Sequence, residues 1–381
     1  MTSIGRPLTR ICVPETLSKR ALRAAAALLF SLPIIVLAMI LPARAVKDVS
    51  PDHHVEIFPT AARLSADGGR WVVPVHAWVY TPQQSRVRKA AMAAVLKKKL
   101  ELQPTPATTP NFDRRTNLLF ADNHRGRRLS VDIAGHRFDL QPTQPNGHTR
   151  TDLEISKDDV EKHARDGGLV IEVVLPDGDT RAFRGRVLVV PPEGLSVISD
   201  IDDTVKISDV TDRAKLMDAT FFKDFATVPG MAPLYAAWAA RGLSLHFVSS
   251  SPWHLYAPLN EMLSQAGFPA ASIHLKQIRL KDRTIFDLFK DASKTKPQSI
   301  EALLAAYPRR HFVLVGDSGE LDPEVYAGIA RKHPGRIVQI LIRNVTKAHP
   351  DDARFTKVFT GIPADHWQLF DEPTQIRWQP Q

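Results

Sequence analysis

The residues best suited to chemistry lie in a short acidic segment that follows an apolar run. Residues 195–198 are mostly apolar, which predicts a buried strand, and Asp200, Asp202, Asp203 and Thr204 follow it. Two carboxylates at alternate positions can hold a divalent cation, and one of them can attack phosphorus while the other transfers protons. Solvated acidic loops have the same composition, so this segment alone leaves both interpretations open.

A cluster of serines follows a second apolar run. Residues 243–248 predict a strand, and Ser249, Ser250 and Ser251 come immediately after it. A hydroxyl group with neighbouring backbone N–H groups can bind a phosphate oxygen at such a strand end, which makes Ser249 a candidate phosphate ligand. Turns and helix N-caps also use serine in this position, so the cluster alone does not distinguish between these roles.

A lysine occupies an electrostatically unfavourable position. Lys296 directly precedes Pro297, and this proline predicts that a helix begins there. The N-terminus is the positive end of a helix dipole, so a lysine at this point opposes it. A phosphate group between the two would remove the conflict, which makes Lys296 a candidate phosphate ligand and catalytic residue. An exposed lysine without a chemical role is the alternative.

A fourth segment repeats the pattern of an apolar run followed by acidic residues. Residues 312–315 predict a strand, and Asp317 comes after a glycine at its end. Mg²⁺ prefers carboxylate and water oxygens, so Asp317 is a candidate ligand, and Glu320 and Asp322 are candidates to ligate or to orient waters. Asp322 also precedes Pro323, so its alternative role is the N-cap of a helix.

The elements that must position these residues change type at residues 191–194, Pro-Pro-Glu-Gly. After this point strand patterns, which include residues 337–342, alternate with helical repeats, as is typical of a parallel α/β sheet. The helical repeats cover residues 231–238, 259–266 and 300–307. We therefore assign residues 46–190 to a β-rich accessory domain and residues 191–381 to an α/β domain.

Residues 46–190 contain mostly strand patterns, which predict an antiparallel sheet. These patterns cover residues 71–80, 117–121, 127–133, 136–140, 169–175 and 180–190. Pro74 predicts that the first of them is an edge strand, and Pro-Asp-Gly-Asp at 176–179 predicts a hairpin between the last two. Residues 102–110 are rich in proline and threonine and predict a loop.

One predicted helix, residues 86–100, interrupts this β-rich region. It is strongly basic and carries Arg86, Arg88, Lys89, Lys97, Lys98 and Lys99. Peripheral contact with an anionic membrane surface is one interpretation of such a helix. A solvated helix face without a partner is the other.

Residues 1–45 have the pattern of an export signal. Residues 1–23 are basic, residues 24–42 are almost entirely apolar, and Ala-Arg-Ala at 43–45 fits a cleavage site. We expect a signal peptide and a periplasmic or secreted protein, and the alternative is a membrane anchor with the catalytic domain outside the cytoplasm. The only cysteine, Cys12, lies in this leader, so the exported part needs no disulfide.

The charge balance gives little indication of a nucleic-acid partner. The formal net charge is +9. The leader contributes six basic residues against one acidic residue, so more than half of the excess lies outside the predicted mature protein. The small excess that is left suits an anionic substrate, and we expect no nucleic-acid partner.

The four chemistry-bearing segments occur in an order that resembles the haloacid dehalogenase superfamily of phosphohydrolases. More narrowly, residues 198–206, 248–253 and 315–324 closely resemble the actin-patch-type phosphatidate phosphatase family, distant relatives of lipins. The resemblance is strong over residues 191–345 and implies a haloacid dehalogenase-like Rossmannoid parallel sheet with flanking helices. The region before it resembles the antiparallel β domain that accompanies this catalytic domain.

The resemblance also implies roles for individual residues. Asp200 would be the nucleophile and Asp202 the general acid and base. Mg²⁺ would be held by Asp200, by the Asp202 carbonyl and by Asp317. The phosphoryl oxygens would be bound by Ser249, Thr204 and Lys296. The Thr204 hydroxyl would also brace the acidic loop, in which Asp203 has a supporting role.

Three functions remain open at this point. The first is hydrolysis of phosphatidate or lysophosphatidate, and the second is the same chemistry on a soluble phosphomonoester. The third is a non-catalytic module that binds an envelope component.

Residues 205–230 are long enough to form a flap over the site, and a large cap domain is not expected, which leaves room for a membrane-borne substrate. An apolar groove beside Trp253, Tyr256 and Phe286 would favour a lipid, and ordinary core packing of these side chains is the alternative.

Overall fold

The computed structural model of the chain describes residues 48–277 and 292–380. The predicted signal peptide over residues 1–45 lies outside the described residues. The segment Val46–Gln381 forms one compact unit that contains a mainly antiparallel sheet and a parallel sheet. The fold is therefore mixed α/β, as predicted. The last strand of the mainly antiparallel sheet ends at residue 189, and the first strand of the parallel sheet begins at residue 193. The division of this unit into two domains at residue 190 stays a prediction.

Nine strands form the first sheet, β1 (His54–Phe58), β2 (Thr60–Leu64), β3 (Arg70–Thr81), β4 (Asp122–Asn123), β5 (Ser130–Ile133), β6 (His136–Asp139), β7 (His148–Ser156), β8 (Gly168–Val174) and β9 (Arg184–Val189). Their main order is β1-β3-β2-β9-β8-β5-β6, and β4 and β7 also pair with β3. The β2–β9 pair is parallel. The other pairs are antiparallel, in agreement with the predicted sheet.

The predicted edge position of residues 71–80 is wrong, because β3 has partners on both sides. It pairs with β7 along Arg70–Trp78, and on its other side with β2 at residues 71–72 and with β1 at residues 76–80. Pro74 falls in the gap between the stretches that pair with β2 and β1. A proline is tolerated there because that side of the strand has no ladder hydrogen bond for its missing N–H to make.

Three helices accompany the first sheet, α1 (Arg86–Leu100), α2 (Thr109–Leu119) and α3 (Lys157–His163). Helix α1 has the predicted bounds and begins at Ser85, whose hydroxyl accepts a hydrogen bond from the Arg88 N–H. The strand predicted at residues 117–121 is wrong, since most of that run belongs to α2. Short apolar runs fit a buried helix end as well as a strand, and α2 buries Phe112 and Leu119 on one face.

Six parallel strands form the second sheet, β10 (Glu193–Ser199), β11 (Ser244–Pro252), β12 (Ser272–Lys276), β13 (Arg309–Asp317), β14 (Ile337–Arg343) and β15 (Trp367–Phe370). Their order is β12-β11-β10-β13-β14-β15, and each neighbouring pair is parallel. Strand β10 therefore lies near the middle, with β11 on one side and β13 on the other. The sequence patterns predicted four of these strands and did not predict β12 or β15.

Helices connect or follow these strands, namely α4 (Arg213–Phe221), α5 (Met231–Ala240), α6 (Tyr256–Gln265), α7 (Ala292–Ala306), α8 (Asp322–Lys332) and α9 (Ala353–Val358). Helix α7 contradicts one expectation, because Pro297 lies inside it and not at its first position. Lys296 is consequently a residue of the helix and not of its N-terminal cap. Among the described residues, no helix combines the length and apolar composition needed to cross a bilayer.

The two sheets share one apolar core. Phe58 of β1 packs against Trp253 and Tyr256, with ring centroids 4.3 Å and 4.9 Å apart. Trp253 and Tyr256 are 3% and 6% exposed, so they are ordinary core residues and do not line an open apolar groove. Phe286, the third residue of the predicted groove, lies outside the described residues. This shared core fixes the strand that carries the serine cluster against the first sheet.

Candidate active site

Three of the four chemistry-bearing segments meet at the carboxyl edge of the parallel sheet. Asp200 follows β10, Ser249 lies near the end of β11, and Asp317 is the last residue of β13. The strands are neighbours, so their ends bring these side chains to the edge where α/β proteins bind ligands. The Asp200 N–H donates to the carbonyl of Val315 at 2.8 Å, which ties the end of β10 to β13.

The fourth segment adds Lys296 to this edge. The Lys296 Nζ lies 3.0 Å from the Asp200 carboxylate and 3.5 Å from that of Glu320, and it also contacts Asp322. Lys296, Asp200 and Asp322 are all 3% exposed or less. The structure thus places the predicted lysine and the predicted nucleophile in direct contact, in a site almost closed to solvent.

Burial and mutual repulsion disfavour the ionised forms of two carboxylates in this cluster. Burial raises the pKa of Asp200 well above its usual value, and Lys296 offsets this only in part. Burial and the charge of Asp322 likewise raise the pKa of Asp317 well above its usual value. The pKa of Lys296 is also raised, because its carboxylate neighbours outweigh the effect of burial. One lysine therefore faces more buried negative charge than it can balance, and a further cation would stabilise the cluster.

The donor set fits a divalent cation. Carboxylate oxygens of Asp200, Asp317 and Asp322 lie within 4.8 Å of one another. One oxygen of Asp317 accepts hydrogen bonds from the N–H groups of Gly319 and Glu320 at 2.7 Å and 3.1 Å. Its other oxygen, Oδ2, is buried without a hydrogen-bond partner. An unpartnered oxygen in an all-oxygen set is suited to a hard cation such as Mg²⁺.

This set differs from the predicted metal ligands at one position. Asp200 and Asp317 belong to it as predicted, but the third carboxylate is that of Asp322, and the carboxylate of Asp202 is bound elsewhere. A contribution from the Asp202 carbonyl stays a prediction. Asp322 does not have the alternative role of N-cap either, since it is the first residue of α8 and follows the cap residue Leu321.

The approach of Asp322 to the site requires a glycine at position 316. A Cβ atom at Gly316 would lie 2.3 Å from the Asp322 carboxylate and 2.7 Å from the Tyr326 ring. We expect Gly316→Ala to lower the free energy of unfolding by about 2–3 kcal/mol, as measured by urea denaturation. Gly328→Ala in α8 is the matched control, because a Cβ there has open space and should leave stability equal or higher. Equal stability of the two variants would contradict this reading of the site.

Asp202 forms a second cluster with a lysine and three hydroxyl groups. Its Oδ1 accepts from Lys206 Nζ and Ser208 Oγ, both at 2.7 Å. Its Oδ2 accepts from Ser251 Oγ at 2.9 Å and from Ser249 Oγ at 3.2 Å. Burial alone would raise the pKa of Asp202, but the charge of Lys206 and the hydroxyl donors lower it to about 2. Asp202 is therefore ionised, and the predicted phosphate ligand Ser249 lies against it.

The remaining residues of the acidic loop hold its backbone in place. Asp203 adopts a left-handed backbone conformation with φ 52°, and its carboxylate accepts hydrogen bonds from the N–H groups of residues 208–210 at 2.6–3.0 Å. Thr204 is fully buried, and its hydroxyl donates to Asp200 at 3.3 Å. This contact agrees with the expected bracing role, whereas phosphate binding by Thr204 stays a prediction.

The segment predicted to form a flap packs against the helices of the first sheet. It contains α4, and Arg115 of α2 donates hydrogen bonds to the carbonyls of Ala219 and Thr220. Apolar side chains from α1, α2 and α4 form one buried cluster, namely Met92, Leu96, Phe112, Leu119, Leu216, Met217, Phe221 and Phe222. Two apolar side chains beside the acidic loops stay exposed, Ile207 at 40% and Leu321 at 47%.

Two functional candidates were missed by reasoning from the sequence. Lys206 and Ser251 both donate hydrogen bonds to Asp202. Each lies in a segment in which the sequence predicts functional roles for other residues only. The spacing of four residues between Asp202 and Lys206 was the available signal for an ion pair. No pattern in the sequence links Ser251 to Asp202, because strand pairing between β10 and β11 brings them together.

All of these residues lie within a stretch that matches a known protein family. Residues 195–344 match the family model described as "Phosphatidate phosphatase APP1, catalytic domain". This part of the chain is similar to the APP1 catalytic domain. The resemblance of the sequence motifs to the actin-patch-type phosphatidate phosphatase family is thereby confirmed, and Asp200, Asp202, Ser249, Lys296 and Asp317 all lie within the matched residues.

Two curated relatives match part of the chain. "Phosphatidate phosphatase APP1" of Saccharomyces cerevisiae is 32% identical over 166 residues, which are 42% of this chain and 28% of the relative. An uncharacterized protein of Schizosaccharomyces pombe is 29% identical over 181 residues, 46% of this chain and 29% of the relative. The chain thus spans less than a third of the length of either relative.

Among solved structures, this chain is similar to the class C acid phosphatase from Bacillus anthracis. Two structures of that enzyme, one with tungstate bound, match at 15% and 17% sequence identity and a TM-score of 0.24. The match covers 34% of this chain and 53% and 52% of those chains. A TM-score this low does not establish a common fold.

Proposed function

We propose that this chain is a Mg²⁺-dependent phosphomonoesterase that removes phosphate from phosphatidate or lysophosphatidate. The observation that carries the proposal is the contact between the buried Asp200 carboxylate and Lys296 at 3.0 Å, at the carboxyl edge of the parallel sheet. A carboxylate nucleophile beside a fixed cation is the arrangement that phosphoryl transfer requires. The match of residues 195–344 to the APP1 catalytic domain supports the same activity.

Asp200 is the proposed nucleophile. Its carboxylate oxygen attacks phosphorus in line and forms an aspartyl-phosphate, while the bond from phosphorus to the alkoxide oxygen of the substrate breaks. Lys296 contacts one carboxylate oxygen of Asp200, and Thr204 donates to the other, so the carboxylate is oriented from both sides. Lys296 and Ser249 are the proposed ligands of the phosphoryl oxygens.

Asp202 is the proposed general acid and base. Its ionised state suits the second half-reaction, in which it accepts a proton from the water that attacks the aspartyl-phosphate. For the first half-reaction Asp202 takes up a proton from solvent once its contact with Lys206 loosens, and it then donates this proton to the leaving alkoxide. Ser251 and Ser249 then keep the carboxylate oriented through its other oxygen.

Mg²⁺ is the proposed cofactor. Asp200, Asp317 and Asp322 offer it carboxylate oxygens, and Asp202 offers its carbonyl oxygen. A bound Mg²⁺ supplies positive charge that neutralises the transferred phosphoryl group. The unpartnered Asp317 oxygen and the excess of buried carboxylates support this assignment.

We also assign the parallel sheet to the haloacid dehalogenase-like Rossmannoid fold. The support is its topology, since the strand that carries the proposed nucleophile lies between the strands that carry Ser249 and Asp317. All six strands are parallel and helices connect them, as this fold requires.

A lipid is the proposed substrate, and two features support it. The exposed apolar side chains of Ile207 and Leu321 flank the acidic loops. The S. cerevisiae relative that matches part of this chain is named a phosphatidate phosphatase. Export to the periplasm or beyond is proposed as well, on the composition of residues 1–45, with a membrane-anchored form as the alternative.

Phosphate release from residues 46–381 tests the proposed function. We expect release from phosphatidate dispersed in detergent, complete loss of release in EDTA, and recovery when Mg²⁺ is added back. Release from a panel of soluble phosphomonoesters, but not from phosphatidate, would replace the lipid with a soluble substrate. If folded protein released no phosphate from any of these compounds, the non-catalytic alternative would replace the enzyme.

A further inference from the structure

We propose that the outward face of α1 docks on an anionic lipid bilayer. The docking surface consists of the exposed side chains of α1 and is defined by Arg86, Val87, Arg88, Ala91, Val95, Lys97, Lys98 and Lys99. The proposal deepens the proposed function, on which its relevance to catalysis rests, because it states how the enzyme reaches a substrate held in a membrane.

Helix α1 carries two apolar stripes on opposite faces. Met92 and Leu96 form the inner stripe and are buried against α2 and α4. Val87, Ala91 and Val95 recur every four residues on the outer face, where residues four apart lie one above the other. Val87 is 80% exposed and Val95 is 41% exposed. Two of the five large apolar side chains that are exposed in the described residues therefore lie on one stripe.

Basic residues border this outer stripe on both sides. At 100° per residue, Arg88 and Lys99 fall along one border, Arg86 and Lys97 along the other, and Lys98 at the C-terminal end of the stripe. The helix contains no acidic residue. Within residues 48–277 and 292–380 no ion pair involves any of these five side chains, whereas Lys89, which points inward, pairs with Asp113 at 2.8 Å.

This combination favours a bilayer over other anionic partners. A helix that lies in a membrane interface places apolar side chains below the headgroups and basic side chains beside the lipid phosphates. Anionic lipids attract each basic residue near the surface. A nucleic acid or an acidic protein would use the basic borders but would leave the exposed Val87 and Val95 in water. The bilayer is the partner that accounts for both features.

The docking surface is connected to the candidate active site by packing. Helix α4 shares the buried cluster with α1 and follows the acidic loop in the chain. Val210, at the start of this connection, packs against that cluster, and its side chain lies beside Gly319 of the Asp317 loop. The exposed Ile207 and Leu321 lie in the same two loops. A membrane held by α1 is thus coupled to the loops that would receive a phosphate headgroup.

Vesicle flotation tests the docking surface independently of catalysis. The full chain and residues 46–381, which form a compact unit, are mixed in EDTA with phosphatidylcholine vesicles that contain or lack phosphatidylglycerol and contain no phosphatidate. We expect salt-sensitive binding of residues 46–381 to the anionic vesicles only. Replacing Lys97, Lys98 and Lys99 together by glutamine should weaken this binding on the order of 100-fold, and the full chain should change in the same direction.

Matched variants control for charge and for apolar content. Lys157, Lys162 and Lys357 are exposed lysines elsewhere, and their joint replacement by glutamine should leave vesicle binding unchanged. Val87→Ser with Val95→Ser should weaken binding, whereas Val170→Ser, at a site 57% exposed in β8, should not. All variants should show the same thermal unfolding midpoint as the unmodified protein.

Several outcomes would overturn the docking proposal. These are equal binding of the unmodified protein and the triple lysine variant, no binding to anionic vesicles, or binding to RNA or polyglutamate without binding to vesicles. The proposed function fails separately, if no phosphomonoester is hydrolysed while vesicle binding behaves as expected. If both proposals hold, the triple variant should lose hydrolysis of vesicle-borne phosphatidate and keep its rate on detergent-dispersed phosphatidate.

Discussion

Replacing Asp200 by asparagine should abolish phosphate release while leaving the fold intact. Asparagine has nearly the same shape, but its amide cannot attack phosphorus or form an aspartyl-phosphate. We expect kcat to fall by at least about 10⁴-fold, the order of loss that follows removal of a nucleophile. The measurement is Mg²⁺-dependent phosphate release from phosphatidate by the purified variant and the unmodified protein, assayed in parallel.

The same substitution should not reduce stability in the absence of metal. The folded pKa of Asp200 is raised above its unfolded value, mainly by burial, so its ionised carboxylate lowers the stability of the fold as pH rises above the unfolded pKa. Asparagine removes this charge from a cluster that already contains Asp317 and Asp322. In EDTA at neutral pH, Asp200→Asn should therefore unfold at the same temperature as the unmodified protein or higher. Adding Mg²⁺ should raise this temperature less in the variant, because a ligand is weakened.

Asp203→Asn is the matched control for Asp200→Asn. It changes the same residue type in the same loop, but Asp203 holds the N–H groups of residues 208–210 and makes no contact with Lys296. Asparagine tolerates the left-handed backbone at this position. We expect a moderate loss of stability and partial retention of activity. Full activity of Asp200→Asn, or equal losses in the two variants, would contradict the assignment of the nucleophile.

The parallel sheet was easier to predict from the sequence than the first sheet, and the reason is physical. Buried parallel strands are nearly continuous apolar runs, so residues 312–315 and 337–342 could be recognised one by one. The unpredicted strand β7 has a mainly polar sequence and is recognised only by its pairing with β3. Pro74 suggested an edge strand because the local sequence cannot reveal that one edge of β3 pairs with β2 before Pro74 and with β1 after it.

The candidate site was predictable to the extent that its residues follow strand ends. Asp200, Ser249 and Asp317 could be placed at one edge because parallel strands share their carboxyl ends. The partners of each carboxylate depend on loop geometry and on strand order, which the sequence does not state. The sequence therefore left Asp322 open between a metal ligand and a helix cap, and it gave Lys206 no role beyond the end of a motif. The structure places Asp322 among the candidate metal ligands and pairs Lys206 with Asp202.

Replacing Lys206 by methionine should destabilise the protein and weaken catalysis together. Lys206 and Asp202 are both buried, and their 2.7 Å contact is the main compensation for the Asp202 charge. Removing one partner of a buried ion pair typically costs about 3–5 kcal/mol, which chemical denaturation will measure. Phosphate release should fall about 100-fold, because the carboxylate loses the contact that positions it.

The pH dependence of this loss separates an electrostatic role from simple packing. In the unmodified protein the pKa of Asp202 is about 2, below its unfolded value, so the ionised carboxylate stabilises the fold above the unfolded pKa, and this contribution disappears as pH falls through about 2. Without Lys206, only the hydroxyl donors oppose the effect of burial, so the pKa of Asp202 rises and its buried charge costs stability as pH rises. The difference in unfolding free energy between Lys206→Met and the unmodified protein should thus be larger at pH 7 than at pH 4.5.

A double variant completes the test. Lys206→Met combined with Asp202→Asn removes both charges and should recover most of the stability that Lys206→Met loses, because no unpaired charge stays buried. It should recover no activity, because asparagine cannot transfer the proton. A loss from Lys206→Met that is independent of pH and is not recovered in the double variant would mean that Lys206 acts through its cation–π contact with Phe225, whose ring centroid lies 5.0 Å from the ammonium group, and not by balancing Asp202.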